Sequence, residues 1–430
     1  MQPHRSDAQL EASPVDANVP AAERRTVVTR LRRLMGTVVS MQIAVDAEQV
    51  AAAERAAHLA LEWLAEVDAR LSRFRPESEL SVLNRSASRW FNASELLFTA
   101  VECAVAAAHT SAGLFDPTLL RQLEALGYDR DFSALAGRNG RESAVPLSAS
   151  PPEMAASGPG GLWRGLRLDG ARRRIWLPEG AALDLGGIAK GWAADVALER
   201  FCVPFPGTLV NVGGDLRLRG GPQPGEPWSV GIRDPRHERQ DATEHHGHDD
   251  VYRATIAFSR GGLATSGAVR RWWWREGERV HHLLDPRTGR PAPLWLGPTD
   301  GASGQSSAAA DGAGGSHPPE EANDIATVTA LAPTAARAEV ATKVALLRGY
   351  PAALQVVERA WDRWGAVTVD KIGATDEPGE ARETKADAGV ALVIVLGNGE
   401  LACSENLSAW LASWGTAGAS LPALVGRPPL

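Results

Sequence analysis

The stretch 182–195, ALDLGGIAKGWAAD, leaves its backbone few choices. Ala182, Leu183 and Leu185 are apolar, and Gly186 and Gly187 carry no side chain. Ile188, Trp192, Val196 and Leu198 then recur along a helical face. The pattern predicts a short strand, a double-glycine turn and the start of a helix. A glycine pair at such a junction lets a ligand approach the backbone closely. The first N–H groups of a helix lack intrahelical partners and favour anions. Asp184 before the glycines and Lys190 after them add an acceptor and a cation. Taken alone, an ordinary turn with an exposed lysine explains the same residues. Other polar clusters along the chain, however, suit the same anionic ligand.

Charge and cysteine usage narrow the classes. The 430 residues carry a net charge of −7, which supplies no basic footprint for nucleic acid. Cys103, Cys202 and Cys403 lie far apart without CxxC spacing, so they predict buried thiols and neither a zinc site nor a disulfide framework. No apolar run reaches the length of a membrane span. Residues 1–25 are polar and rich in Ala and Pro, with no signal-like apolar segment; they predict a disordered lead into a cytoplasmic protein.

Along the chain, residues 33–45 predict a strand with a Met-Gly-Thr step inside it, and 47–71 a helix burying Ala57, Leu61, Leu64, Val67 and Leu71. Residues 71–84 read as a polar loop carrying Arg73, Phe74 and Ser78. Ser94 is a good N-cap for the helix that follows, and 114–118 read as a loop. Hairpins are predicted around Asp169-Gly170 and Asn398-Gly399, and strand 208–220 is broken by Gly213-Gly214. Further strands are predicted over 228–232, 252–258, 280–284 and 325–331. Thr334 caps a helix to Arg348, and Tyr350-Pro351 opens another through Trp364. Strands and helices mix without regular βαβ alternation, which predicts an α+β fold. Low-complexity segments 139–160, 238–250, 297–324 and 371–388 read as insertions in one unit spanning 26–407, with a tail over 408–430. His245, His246 and His248 read as a solvated histidine-rich loop, since no distant partner of matching type accompanies them.

Six polar clusters remain: Met35-Gly36-Thr37, the segment 73–79, Phe115-Asp116-Pro117-Thr118, the segment 184–191, ATSG over 264–267 and HLLDPRTG over 282–289. None is diagnostic alone. In this order and spacing, together with NVGGD over 211–215, the sequence resembles the FAD:protein FMN transferases, the ApbE-type flavin transferases, across 26–407. The resemblance implies a T-fold-like α+β domain with FAD in its cleft. With a divalent metal, usually Mg²⁺, such proteins break the pyrophosphate of FAD. They pass FMN through its phosphate to a Thr or Ser hydroxyl of an acceptor flavoprotein, and AMP leaves. Some members hydrolyse FAD to FMN and AMP instead.

Carried over by position, the resemblance places Met35 on the flavin or adenine. Phe74 stands where the family often has Tyr, keeping the stacking but not the hydroxyl. Leu114, Phe115 and Asp116, then Asp184 and Lys190, then Ser266 and Gly267, match FAD contacts. Gly187 would offer its carbonyl to the metal. His282 would activate the acceptor hydroxyl, with His281 as a rival and Asp285 orienting the loop. The residue types suit that chemistry. Pyrophosphate cleavage needs a cation at its oxygens and an in-line nucleophile. Backbone N–H groups over 186–189 would hold phosphate oxygens, and an imidazole suits a general base near neutral pH.

One position departs from the family. Its metal-binding helix carries Asp followed four residues later by Thr, on one helical face. Here those positions are Glu339 and Lys343, and a protonated lysine cannot be a ligand. Three readings stay open: Lys343 pairs with Glu339 across one turn; its ammonium replaces the cation at the pyrophosphate; or FAD is bound without turnover. Thr342 in the Thr role would break the i, i+4 phase. The function therefore stands between an active flavin transferase, an FAD-binding protein of the same fold and an FAD pyrophosphatase.

Overall fold

Two tight turns set the sheet. Strand β1 (Thr26–Leu34) returns as β2 (Thr37–Val45) through Met35-Gly36, with φ of 53° and 66°. Two-residue hairpin loops favour positive φ because it matches the twist of the strands they join. The single strand expected over 33–45 is therefore a hairpin whose turn is the Met-Gly step. Methionine rarely adopts positive φ, so only Gly36 carried a turn signal. Strand β3 (Gly207–Val212) returns as β4 (Asp215–Arg219) through Gly213-Gly214, with φ of 65° and 100°. Here two glycines make the break plain in the sequence.

The computed structural model describes residues 24–136, 160–237, 251–275, 278–296, 325–354 and 389–416. Strands β5 (Arg260–Gly267), β6 (Ile325–Ala332), β7 (Ala391–Leu396) and β8 (Leu401–Cys403) complete an eight-stranded sheet. Its spatial order is β1 to β8, antiparallel throughout. All eight residues of β6 are buried, as an apolar strand covered on both faces should be. The edge strand β1 is mostly exposed, and its Arg30 and Arg32 pair with Glu54 and Glu62. Charge along an edge discourages pairing with another chain.

Three helices cover one face: α1 (Val50–Leu71) over β1 and β2, α2 (Ala189–Phe201) over β3 and β4, and α3 (Ala335–Arg348) over β5 and β6. The opposite face packs against a small sheet of Trp228–Arg233, Tyr252–Phe258 and Ser413–Thr416. Trp228, Ile232, Ile256 and Phe258 meet Leu209, Leu218, Leu263 and Val393 there. The α+β class is the observed one, and the three cysteines are buried free thiols. No helix among the described residues is long and apolar enough to cross a membrane.

Four further expectations change. Residues 182–185 form no strand; the side-chain amide of Asn84 replaces a neighbouring strand, accepting from Leu183 N at 2.7 Å and donating to Leu183 O at 2.9 Å. Within the expected loop 71–84, Glu79–Asn84 is helical, capped by Ser78 Oγ accepting from Ser81 N at 3.0 Å. The expected strand 280–284 is two short ones, Glu278–His281 and Leu284–Asp285. Of the expected tail 408–430, Ser413–Thr416 is instead a strand paired with 254–257; its part beyond 416, the lead before residue 24, nearly all of the four expected insertions, His245, His246 and His248, and the helix beyond residue 354 lie outside the described residues.

Candidate functional site

The motifs gather at one end of the sheet. Gly213 N donates to Val38 O at 3.2 Å, so the β3–β4 turn lies beside the start of β2. A methyl group on Gly213 would come within 2.6 Å of Thr37 Oγ1. Antiparallel pairing brings Ser266 and Gly267, at the end of β5, to the same end, opposite Val328 and Thr327 of β6. The Met-Gly-Thr, Asn-Val-Gly-Gly-Asp and Ala-Thr-Ser-Gly motifs are thus neighbours.

Helices α2 and α3 cap each other. Asp195 of α2 accepts from Ala335 N at 2.8 Å and Ala336 N at 2.9 Å, two orphan donors in the first turn of α3. Glu339 of α3 accepts from Gly191 N at 2.9 Å in the first turn of α2. The helices touch so closely that a Cβ on Gly191 would lie 2.6 Å from the main chain of Ala335. Glycine is the residue that permits this approach.

Around Glu339 the two helices and β4 build an ion quartet of two buried acids and two half-buried lysines. Lys190 Nζ binds Asp215 Oδ2 and lies 3.3 Å from Glu339 Oε1. Lys343 Nζ lies 3.0 Å from the main-chain oxygen of Glu339, 3.5 Å from its Oε1 and 3.5 Å from Ser266 Oγ. Burial alone would raise the Glu339 pKa, but the Lys190 and Lys343 cations outweigh it and hold it below its usual range. Asp215 is pushed up to about 6 by burial, against the pull of Lys190. Burial lowers the Lys343 pKa, with Glu339 opposing. Thr342 is fully buried and donates to Glu339 O at 2.7 Å while sharing a 2.7 Å hydrogen bond with Ser266 Oγ. Its hydroxyl is engaged with both of these partners.

The glycine turn beside this quartet donates inward. Gly186 N donates to Asp184 Oδ1 at 2.7 Å, and Ile188 N and Ala189 N both donate to Leu185 O. The backbone cradle expected over 186–189 is therefore largely closed, because the chain satisfies its own orphan donors. Gly187 instead provides space: a Cβ there would meet the Phe115 ring at 3.1 Å and Lys343 Cε at 3.2 Å. Asp184 pairs with Arg73 at 3.1 Å. Arg73 stacks between Phe74 and Tyr128, 4.2 and 4.5 Å from their ring centres, and donates to Tyr128 O at 2.7 Å.

The histidine pair resolves on hydrogen bonding. His281 Nε2 donates to Ala292 O at 2.9 Å and its Nδ1 accepts from Leu283 N at 3.2 Å, so both nitrogens are engaged. Burial lowers its pKa to about 4. His282 Nδ1 faces Arg271 O at 3.4 Å, and its Nε2 has no hydrogen-bond partner among the described residues. Burial and the Arg271 cation hold the His282 imidazole well below its usual pKa, so it is neutral at pH 7. Its ring meets Tyr128 edge-on at 6.3 Å.

Two acids fasten the loops around it. Asp285 binds the Arg287 guanidinium at 2.7 Å and accepts from Arg287 N at 2.9 Å, fixing the Asp-Pro-Arg-Thr-Gly turn. Asp116 accepts from Thr118 N at 2.7 Å and from Gly161 N at 2.5 Å, and Gly160 N donates to Pro286 O at 2.7 Å. Both oxygens of Asp116 therefore serve the protein itself. Leu114 and Phe115 are buried in the main core, and Met35 packs against it half-exposed at the hairpin tip.

Of the expected residues, Gly187, Lys190, Ser266, Glu339 and Lys343 converge on the quartet. Asp184 and Phe74 join through Arg73, and Leu114–Asp116, His282 and Asp285 lie on the adjoining loops. Arg73 and Asp215 stand in the segment 73–79 and the NVGGD motif without an assigned role, and Tyr128, Arg271 and Asp195 carry no expectation from the sequence. Asp215 lies 25 residues from Lys190 and Glu339 lies 149 from it, so no local spacing ties them. A divalent metal does not fit the quartet. Its two carboxylates are already neutralised by two ammonium groups, and no group of three or more His, Cys, Asp or Glu that could hold a metal occurs among the described residues.

The sequence model of the ApbE family matches residues 35–311, more than half of the chain. The FAD:protein FMN transferase of Vibrio cholerae is 29% identical over 231 residues, covering 53% of this chain and 62% of that protein. The chain thus spans less than two thirds of that relative. The FAD:protein FMN transferase of Haemophilus influenzae is 23% identical over 352 residues, covering 80% of this chain and 87% of that protein. The crystal structure of the ApbE protein of Thermotoga maritima shares the fold, with a TM-score of 0.62 at 23% identity over 90% of this chain and 100% of that one.

Proposed function

The chain belongs to the ApbE family, and from that premise we propose that it is an FAD:protein FMN transferase. The observation that carries the proposal is His282: a neutral imidazole with an uncommitted Nε2, beside a histidine whose nitrogens are both engaged. In the proposed reaction the hydroxyl oxygen of a Thr or Ser in an acceptor flavoprotein attacks the FMN phosphorus of FAD. The bond from that phosphorus to the bridging oxygen breaks, AMP leaves with the electron pair, and the hydroxyl proton passes to His282 Nε2. Asp285 is a positioning residue, since it holds the turn and touches no reacting atom. We assign FAD binding to Met35, Phe74, Asp184, Lys190, Ser266 and Gly267, with Leu114, Phe115 and Asp116 holding the loop beside Gly187. Mg²⁺, with Gly187, Glu339 and Lys343 around it, has no step in this proposal because the donor set does not suit it. A cytoplasmic location and one catalytic unit over 26–407 belong to the same reading.

The test is AMP release from FAD coupled to an FMN mass shift on a Thr-bearing acceptor peptide. His282→Ala should slow transfer by about 10²- to 10⁴-fold and leave FAD binding in place. Transfer at the parental rate in that variant would remove the assignment. Saturable FAD binding with no turnover by the parent would establish the non-catalytic role instead, which the pairing of Lys343 with Glu339 favours. AMP release without modified peptide would assign FAD hydrolysis.

A further inference from the structure

We infer that Lys343 is a built-in cation of the site: its ammonium donates to a pyrophosphate oxygen of FAD and occupies the oxygens a divalent metal would need. The inference deepens the FAD reading above and rests on it. Three observations support it. First, among the described residues the hydrogen-bond and ion-pair partners of Lys343 Nζ are all oxygens: the main-chain and carboxylate oxygens of Glu339 and the hydroxyl of Ser266. An all-oxygen surround is what a hard metal cation takes, and here an ammonium fills it. Second, only the bond to Glu339 O, at 3.0 Å, has full hydrogen-bond length; the contacts to Glu339 Oε1 and Ser266 Oγ are both 3.5 Å. An ammonium has three donors, so Lys343 retains capacity for a further acceptor. Third, Glu339 is shared with Lys190, which also binds Asp215. Two ammonium groups against two carboxylates leave no surplus negative charge to attract a divalent ion, whereas an arriving pyrophosphate brings its own.

The placement of Lys343 explains Gly187. The aliphatic stem runs under this residue, where a Cβ would come within 3.2 Å of Lys343 Cε and 3.1 Å of the Phe115 ring. The glycine thus makes room for the lysine as well as for a ligand.

The experiment combines two measurements on the full chain. FAD affinity is followed by flavin fluorescence, with EDTA or with Mg²⁺. Metal occupancy is followed with Mn²⁺ as the probe, by electron paramagnetic resonance, with and without FAD. The parent should bind FAD equally well in EDTA and Mg²⁺, and should hold no stoichiometric Mn²⁺. Lys343→Met, similar in length but uncharged, should lose at least about 10-fold in FAD affinity, the weight of one charge-assisted hydrogen bond. Lys343→Arg, which keeps the charge, should lose less. Lys343→Thr should gain one Mn²⁺ per chain when FAD is present, with Mn²⁺ restoring its FAD affinity. Thermal melts confirm that each variant folds. One Mn²⁺ per parent chain together with FAD binding that EDTA abolishes would overturn the inference and leave the FAD reading standing. Unchanged FAD affinity in folded Lys343→Met would do the same. A parent that binds no FAD under any of these conditions would overturn both readings.

Discussion

Asp195 and Glu339 do the same mechanical task on opposite helices. Each is a buried acid whose oxygens accept N–H groups from the first turn of the partner helix. Their surroundings differ. Asp195 faces Arg217 at 3.3 Å, and burial pushes its pKa up to about 6. Glu339 faces two lysines, which hold its pKa down despite equal burial. A helix cap needs an acceptor; a site for an anionic ligand also needs cations kept charged without metal or water. Glu339 has two cationic partners where Asp195 has one.

The comparison breaks most visibly at Glu339. Glu339→Gln should destabilise the fold by about 3–5 kcal/mol, because it leaves two buried ammonium groups with one carboxylate, and should lower FAD affinity in a fluorescence titration. A variant as stable as the parent, with parental affinity, would make Glu339 merely a cap. Next comes pH. The unfolded chain releases the Asp195 proton near 3.9, the folded chain near 6. The folded state binds more protons between these values, so its stability must fall as pH rises from about 4 to 6. Chemical denaturation of the parent against Asp195→Asn should show that loss, up to about 3 kcal/mol; a constant difference across the range would remove the assigned titration. Gly191→Ala places a methyl group against Ala335 main chain and should cost about 1–3 kcal/mol, read as a lowered Tm. Last is Asp195→Asn at pH 7, expected to cost about 1–3 kcal/mol because the amide nitrogen cannot accept the second of the Ala335 and Ala336 N–H groups, with FAD affinity unchanged. A loss of FAD affinity in that variant would erase the distinction between the two acids.

Local chemistry made much of this legible. Ser94 and Thr334 cap the helices their positions predict, Asn398-Gly399 turns the hairpin it marks, and Gly213-Gly214 breaks its strand where expected, the two halves pairing. The pairing of Glu339 with Lys343 follows from i, i+4 spacing and is present. What failed was non-local. Leu183 reads as a strand residue because its apolar run cannot report that the Asn84 side chain, 99 residues away, takes the place of a strand. The union of Lys190 with Asp215 and Glu339 needs the finished sheet to bring α2, α3 and β4 together. Arg73 reads only as a loop cation in the sequence, because its partner Tyr128 lies 55 residues on.

The order of the sheet carries a kinetic consequence. β1–β2 and β3–β4 are hairpins whose partners are a few residues apart, and such units close in about 1–10 μs. Joining them requires Val39 to meet Val212, across the whole of residues 46–206. Loop closure of that length precedes the contacts that reward it. The encounter of the two hairpins, which also brings Thr37 against Gly213, therefore closes the longest loop of the sheet.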